Sequence, residues 1–399
     1  MTLTRREVLG GLFASVALSP LSRAAPAVGA RPPLTLIMLE LKGGNDGLQM
    51  VCPITDPLYR RLRPDLALDA KSCSAFDRGL ALHEGFAPLR SAVDAGELCV
   101  VGDVGYKEPN RSHFRAIQIW DHASTANEVR DEGWLTRALS TARVEGSLRE
   151  TSLALDGVIV RGDDGPLEGA RTLHLAGGAP KAQKRRQRVH APESGLTKSA
   201  RHIEETRVLY AKQTSALATR LATVAVPQAG PALPTKIEAV VDLAVRASIL
   251  AARGEGVAHA VKLTLPGFDT HTNQRQVQDR LLGELGTGLA ALRARLAEAG
   301  AWDRTVVVVM SEFGRRVAQN NNGGTDHGAA GPLLVLGGAV RGGLVGAPPR
   351  LDDLLDGDLR VRVEHRDVFA SVARRAFGLS NAGLTSALSS TATLPLFRV

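Results

Sequence analysis

Four short segments of this sequence gather side chains that bind metal ions: Asn45-Asp46; Asp269-Thr270-His271 with Asn273 and Gln274; Glu312; and Thr325-Asp326-His327. Carboxylate oxygens and imidazole nitrogens supplied by separate loops are what a divalent-cation site requires, because the ion neutralises charges that otherwise repel one another. Zinc, magnesium, calcium and manganese are all compatible with such a set. Taken singly, an Asp or His at a strand end more often caps a helix or braces a turn. Here the acids and imidazoles all stand directly after apolar runs or in adjoining glycine-rich loops, which argues for a shared site.

Asn110-Arg111-Ser112-His113 adds a hydroxyl nucleophile. It precedes Phe114, Ile117, Ile119 and Trp120, so Ser112 is expected near a helix N-terminus, where free N–H groups and the helix dipole favour an anion. Capping of that helix by Asn110 or Ser112 is an equal and compatible reading. Arg111, Arg315 and Arg316 offer forks to phosphate or sulfate oxygens. Arg315, directly after Glu312-Phe313-Gly314, has the strongest claim, although surface solubility is the commoner role for each.

These residues need elements to position them. Leu34 to Leu41 is an apolar run ending in Gly43-Gly44-Asn45-Asp46-Gly47, which reads as a buried strand delivering a polar loop. Leu98 to Asp103, Val257 to Leu265 ahead of Asp269, and Thr305 to Met310 ahead of Ser311-Glu312 repeat the arrangement, and Pro332 to Gly338 is a fifth candidate. Between them lie helical patterns. Thr235-Lys236-Ile237-Glu238 has the T-x-x-E form of a capping box, Leu281 to Leu296 carries leucines at helical spacing up to Gly300, and Arg366 to Phe377 predicts a late helix. Strands alternating with helices predict an α/β fold with a largely parallel sheet covered on both faces. In such folds ligands collect beyond the carboxyl ends of the strands, where these polar residues fall. Gly43 to Gly47 lacks the G-x-G-x-x-G arrangement that approaches a pyrophosphate, which argues against a nucleotide-dependent oxidoreductase.

The N-terminus carries Arg5-Arg6, then an apolar stretch to Leu21, then Ala25-Pro26-Ala27 as an A-x-A cleavage site, with Ser22-Arg23-Ala24 as a second option. This predicts residues 1–27 to be a twin-arginine signal peptide and the twin-arginine export machinery to be a partner, placing the mature chain in the periplasm or outside the cell. The stretch is shorter than the ~20 residues a spanning helix needs, and no later segment is apolar enough to anchor the mature chain. Residues 28–399 are expected to form one domain, with about 178–235 as a cap or insertion over the sheet. The formal charge of the full chain is +8. Its densest basic stretch, Lys181 to Arg188, has no interleaved aromatic residues, so it reads as a solvated loop rather than a specific nucleic-acid site. Cys52, Cys73 and Cys99 are too few for a disulfide framework and lack zinc-ribbon spacing, though one disulfide is compatible with export.

Taken in order, Leu41-Lys42-Gly43-Gly44-Asn45-Asp46-Gly47-Leu48, Ser112-His113-Phe114-Arg115-Ala116, Phe268-Asp269-Thr270-His271-Thr272-Asn273-Gln274, and Ser311-Glu312-Phe313-Gly314-Arg315 continuing to Gly324-Thr325-Asp326-His327-Gly328 resemble the successive motifs of the bacterial exported family called domain of unknown function 1501. That family is similar in fold to the alkaline phosphatase superfamily, which includes sulfatases and phosphodiesterases. The resemblance implies an alkaline-phosphatase-like sheet with a metal centre on its carboxyl edge. It implies Asp46, Asp269, His271, Glu312, Asp326 and His327 as metal ligands, Ser112 as nucleophile, and His113 and Arg315 as groups that bind a small anionic ester or shuttle protons. Phe313 stands where the superfamily has a histidine ligand, and His271 follows Asp269 by two residues where alkaline phosphatases have four, so one of two metal positions lacks its histidine. The function implied is an exported metal-dependent hydrolase or transferase acting on a phosphate or sulfate ester; the alternative is a catalytically silent envelope protein with a binding or assembly role.

Overall fold

In the computed structural model the described residues are 34–148, 156–170, 172–174, 208, 215–253 and 259–398. The chain divides into a short unit, Met1–Pro32, and a second unit, Pro33–Val399. The expected signal peptide, and the basic stretch around Lys184, lie outside the described residues.

The second unit is built on a nine-stranded sheet. In chain order its strands are β1 Thr35–Lys42, β2 Leu98–Gly105, β3 Gly157–Ile159, β4 Thr172–His174, β5 Ala260–Pro266, β6 Thr305–Met310, β7 Gly331–Leu336, β8 Gly343–Val345 and β9 Val363–Glu364. Their spatial order is β8-β2-β7-β6-β1-β5-β3-β4, with β9 pairing alongside β2. β1 runs parallel to β5 and to β6, with Ile37 opposite Val307 and Glu40 opposite Thr264. The expected largely parallel sheet is therefore present. β7 is the exception: it runs antiparallel to both of its neighbours, β6 and β2.

The central strands are continuous apolar runs because both of their faces are covered. Alternation divides them between two cores. Ile37, Leu41, Val307 and Val309 pack with helices α3 (Thr235–Ala252) and α4 (Gln274–Glu298). Leu36, Met38, Val306 and Val308 pack with α1 (His113–His122), α2 (Trp134–Val144) and α5 (His365–Phe377). The leucines from Leu281 to Leu296 face inward along α4, which ends two residues before Gly300, whose φ of +66° only glycine adopts freely. Among the described residues, no helix is long and apolar enough to cross a membrane.

One local expectation is corrected. Pro234, not Thr235, is the N-cap of α3, and no side chain caps that end. Glu238 is drawn instead to Arg295 of α4, whose Nη2 donates to it at 3.0 Å, so the glutamate ties two helices rather than closing a capping box. All three cysteines are free, Cys52 and Cys99 buried. Burial pushes the Cys99 thiol up to about 12. Part of the expected cap is described: 215–223 is helical and 224–234 is irregular.

Candidate metal centre

Strands β1, β5 and β6 end on the same edge of the sheet, and each hands over to one of the polar loops. β1 leads into Gly43-Gly44, β5 into Gly267 to Asn273, and β6 into Ser311-Glu312. Gly43 and Gly44 take φ of +123° and +75°. A Cβ on Gly43 would lie 2.4 Å from the Asp269 amide nitrogen, so only glycine lets the first two loops approach this closely. The connection from β6 to β7 folds back on itself through an isolated bridge between Arg315 and His327. Helix α1 points its N-terminus at the same place.

Four side chains meet there. The donor atoms of His113, Asp269 and His327 lie within 4.8 Å of one another. Asp269 Oδ1 is 3.1 Å from Nε2 of His327 and 3.1 Å from Nε2 of His271, while Oδ2 is 3.3 Å from Nε2 of His113. Nε2 of His271 and His327 are 3.0 Å apart.

The opposite nitrogen of each ring is fixed by an acceptor. Nδ1 of His113 faces Glu312 Oε1 at 2.8 Å, Nδ1 of His327 faces the Arg111 carbonyl at 2.8 Å, and Nδ1 of His271 faces Asp326 Oδ1 at 3.3 Å. A ring nitrogen against a carboxylate or carbonyl carries the proton, so in the neutral ring Nε2 presents its lone pair. The three Nε2 atoms thus gather at the Asp269 carboxylate, which accepts a hydrogen bond from His327; an ion bound there would take the place of that proton. Nε2 of His113 is buried without a hydrogen-bond partner. This is a donor set that fits a divalent cation, with the orienting partners that metal-binding histidines keep behind them.

Charges nearby reinforce the arrangement. Burial opposes ionisation of Asp269, but hydrogen bonds from Arg315 and His327 hold its carboxyl down at about 2. Burial likewise works against Glu312, yet the bonds from His113 and the Gly43 amide keep it below its ordinary value. The hydrogen bond to Glu312 raises His113, against the effect of burial.

The remaining residues expected at the site surround these four donors or brace them rather than joining them. Asp46 is buried, caps the short helix Gly47–Met50 through Leu48 N at 3.0 Å, and accepts from Arg63 at 2.6 Å and from Gln274. Arg315 is buried too. Its guanidinium donates to the carbonyls of Gly43, Gly44, Phe268 and Thr325 and to Asp269 at 2.7 Å, so it ties three loops together and aims Asp269. Asp326 backs His271. Ser112 is exposed at the N-cap of α1, makes no side-chain capping bond, and lies between two residues that touch the cluster, Arg111 and His113. The Arg111 side chain turns to Asp358. Phe313 packs its ring 4.9 Å from that of His113 and 4.6 Å from that of His327. Sequence reasoning did not single out Arg63, and it read His113 as binding an ester or shuttling protons, whereas the structure sets the ring beside Asp269 and His327.

No curated protein matches this chain in sequence. Among solved structures, the lipoteichoic acid synthase LtaP from Listeria monocytogenes is similar at a TM-score of 0.41 and 9% identity, over 92% of this chain and 77% of that one. The PsFucS1 sulfatase from Pseudoalteromonas sp. gives 0.38 and 11%, over 91% and 73%. The phosphonate monoester hydrolase SpPMH from Silicibacter pomeroyi gives 0.37 and 13%, over 88% and 74%. The family described as "Protein of unknown function (DUF1501)" matches residues 121–385, a span that holds Asp269, His271, Glu312, Asp326 and His327. With more than half of its length matched, the chain belongs to the DUF1501 family.

Proposed function

We propose that this protein is an exported metal-dependent hydrolase or transferase acting on a phosphate or sulfate ester. The observation that carries the proposal is the convergence of Nε2 of His113, His271 and His327 on the Asp269 carboxylate at the carboxyl edge of the sheet. A divalent cation bound there supplies charge stabilisation to ester oxygens and acidifies a coordinated hydroxyl.

The chain's own residues do the rest. Ser112, exposed and free of a capping bond, offers its hydroxyl as nucleophile. The first N–H groups of α1 and its dipole favour an anion at that helix end. Glu312 and the Arg111 carbonyl hold the rings of His113 and His327. Arg315 fixes Asp269; its guanidinium is committed to that carboxylate and to four carbonyls, so its part is positioning. Asp46 acts as a brace beneath the site. Arg5-Arg6 and the apolar run behind them support export by the twin-arginine route.

Turnover of aryl phosphate, phosphodiester and aryl sulfate by metal-loaded mature protein tests the proposal. We expect activity on at least one ester and a loss of 100-fold or more in Ser112→Ala. Absence of turnover on all three, or a Ser112→Ala variant as active as the parent, would sink it. One observation favours the second reading, a silent envelope protein: the Phe313 ring packs against both His113 and His327, where the resemblance calls for another ligand. A metal-loaded protein that turns over nothing yet recovers one partner consistently from an envelope extract supports that reading.

A further inference from the structure

The carboxylates that the sequence brings to this edge are not equivalent once the chain is folded. Asp46 is occupied by Arg63, the Leu48 amide and Gln274. Glu312 is occupied by the Gly43 amide at 2.9 Å, the Ser311 hydroxyl at 3.0 Å and the His113 ring. Asp326 accepts from Asn320 and stands behind His271. Of the four, Asp269 alone faces the Nε2 atoms of the three histidines.

From this we infer that the centre takes a single borderline transition ion of the zinc class, held by His113, His327 and Asp269 with His271 alongside, and discriminates against magnesium and calcium. The inference deepens the proposed function and rests on its premise that the cluster is a metal site. Calcium requires six to eight oxygens and magnesium a near-octahedral oxygen shell, whereas imidazole suits zinc and its neighbours. Asp269 cannot supply such a shell by itself.

Distances agree. A tetrahedral zinc with nitrogen ligands at ~2.0–2.1 Å sets its donors roughly 3.3 Å apart. The donor separations here are 3.1 Å for Asp269 Oδ1 to His327 and 3.3 Å for Asp269 Oδ2 to His113, and the donors of these three residues all lie within 4.8 Å of one another. Three protein donors leave one position of a tetrahedral shell open to a hydroxyl or an ester oxygen, and Phe313 fills the space beside His113 and His327 with a ring that ligates nothing.

The test uses the mature protein, stripped with chelator and dialysed against Zn2+, Co2+, Mg2+ or Ca2+, with bound metal measured by elemental analysis and titration calorimetry. One Zn2+ per chain, the intense visible spectrum of four-coordinate Co2+, and no displacement by millimolar Mg2+ or Ca2+ are expected. His113→Gln and His327→Gln should each weaken Zn2+ by at least 100-fold, and Glu312→Gln by about 10–100-fold with the stoichiometry unchanged. Circular dichroism identifies any variant that has not folded; in that case Co2+ spectra of the parent protein decide the geometry. Two ions per chain, stoichiometric Mg2+ or Ca2+ with weaker Zn2+, or Zn2+ affinity untouched by both histidine variants overturns the inference while leaving a metal-dependent function standing. A chain that binds none of the four ions overturns both.

Discussion

Replacing Arg63 with methionine separates two roles for Asp46: brace of the fold or ligand of the ion. Both side chains are fully buried, and their contact is 2.6 Å. Arg63 also donates to the carbonyls of Val317 at 2.6 Å and Arg316 at 2.8 Å, so it joins the loop after β1 to the loop after β6. Removing one partner of a buried pair costs about 3–5 kcal/mol, because the other charge stays in place without compensation. The two carbonyls left without a donor fall within the same range, and Asp46 keeps only the Leu48 amide and Gln274. We therefore expect Arg63→Met to lose about 4 kcal/mol in urea unfolding. The double variant Asp46→Asn/Arg63→Met should lose less than the sum of the two singles, since each then removes part of the same interaction. Zinc stoichiometry in folded Asp46→Asn should remain one per chain. The reasoning fails if Arg63→Met costs less than about 1 kcal/mol while Asp46→Asn keeps its stability and loses its metal; Asp46 would then be a ligand.

Gly43→Ala forces a Cβ against the Asp269 and Phe268 backbone at a positive φ, and should cost at least about 2 kcal/mol in chemical unfolding as well as weaken zinc binding. Lys262 is buried on β5, 3.4 Å from Glu40 and paired with Asp163; Lys262→Met should destabilise the protein by about 3 kcal/mol at pH 7, and a loss under about 1 kcal/mol would show that Glu40 is neutralised otherwise. Burial pushes the Asp103 carboxyl up to about 6 from an ordinary value of 3.8, against the pull of Arg362. A carboxyl raised in the folded state contributes stability that is complete below about pH 3.8 and lost as the pH rises through about 6, so Asp103→Asn should flatten that decline by about 3 kcal/mol in unfolding measured from pH 4 to 8. Zinc at 100 times its Kd should stabilise the folded chain by about 2.7 kcal/mol, reversed by chelator, with no effect expected in His327→Ala.

Much of the frame was readable from residue patterns. Runs such as Thr305 to Met310 are β-branched and uninterrupted, which only a strand buried on both faces sustains, and the leucines of α4 mark its inward stripe. The loop carrying Asp269 and His271 was readable for the same reason, since polar residues directly after an apolar strand have one edge of the sheet to occupy, and His327 stood out in the glycine-rich loop between two apolar runs. What was hidden depends on partners far apart in sequence. Nothing in Pro57 to Arg63 distinguishes Arg63, which is buried against Asp46, from Arg60 and Arg61, which stay near the surface. Arg315 looked free for an ester because its acceptors are backbone carbonyls, and carbonyls leave no trace in a sequence. The direction of β7 was equally silent, since an apolar run reads the same in either sense.

That reversed strand changes what the connection before it has to do. A parallel β7 would oblige the chain to cross to the far edge of the sheet before re-entering. An antiparallel β7 starts where β6 stops, so all of 311–330 remains on one side, and Glu312, Phe313, Arg315, Asp326 and His327 travel together on one excursion. Its two ends are pinned by neighbouring strands while its tip, around Asn320 to Gly323, lies toward solvent. Insertions at that tip would lengthen the excursion without altering strand register, so related proteins can reshape the mouth of the site there at little risk to the sheet.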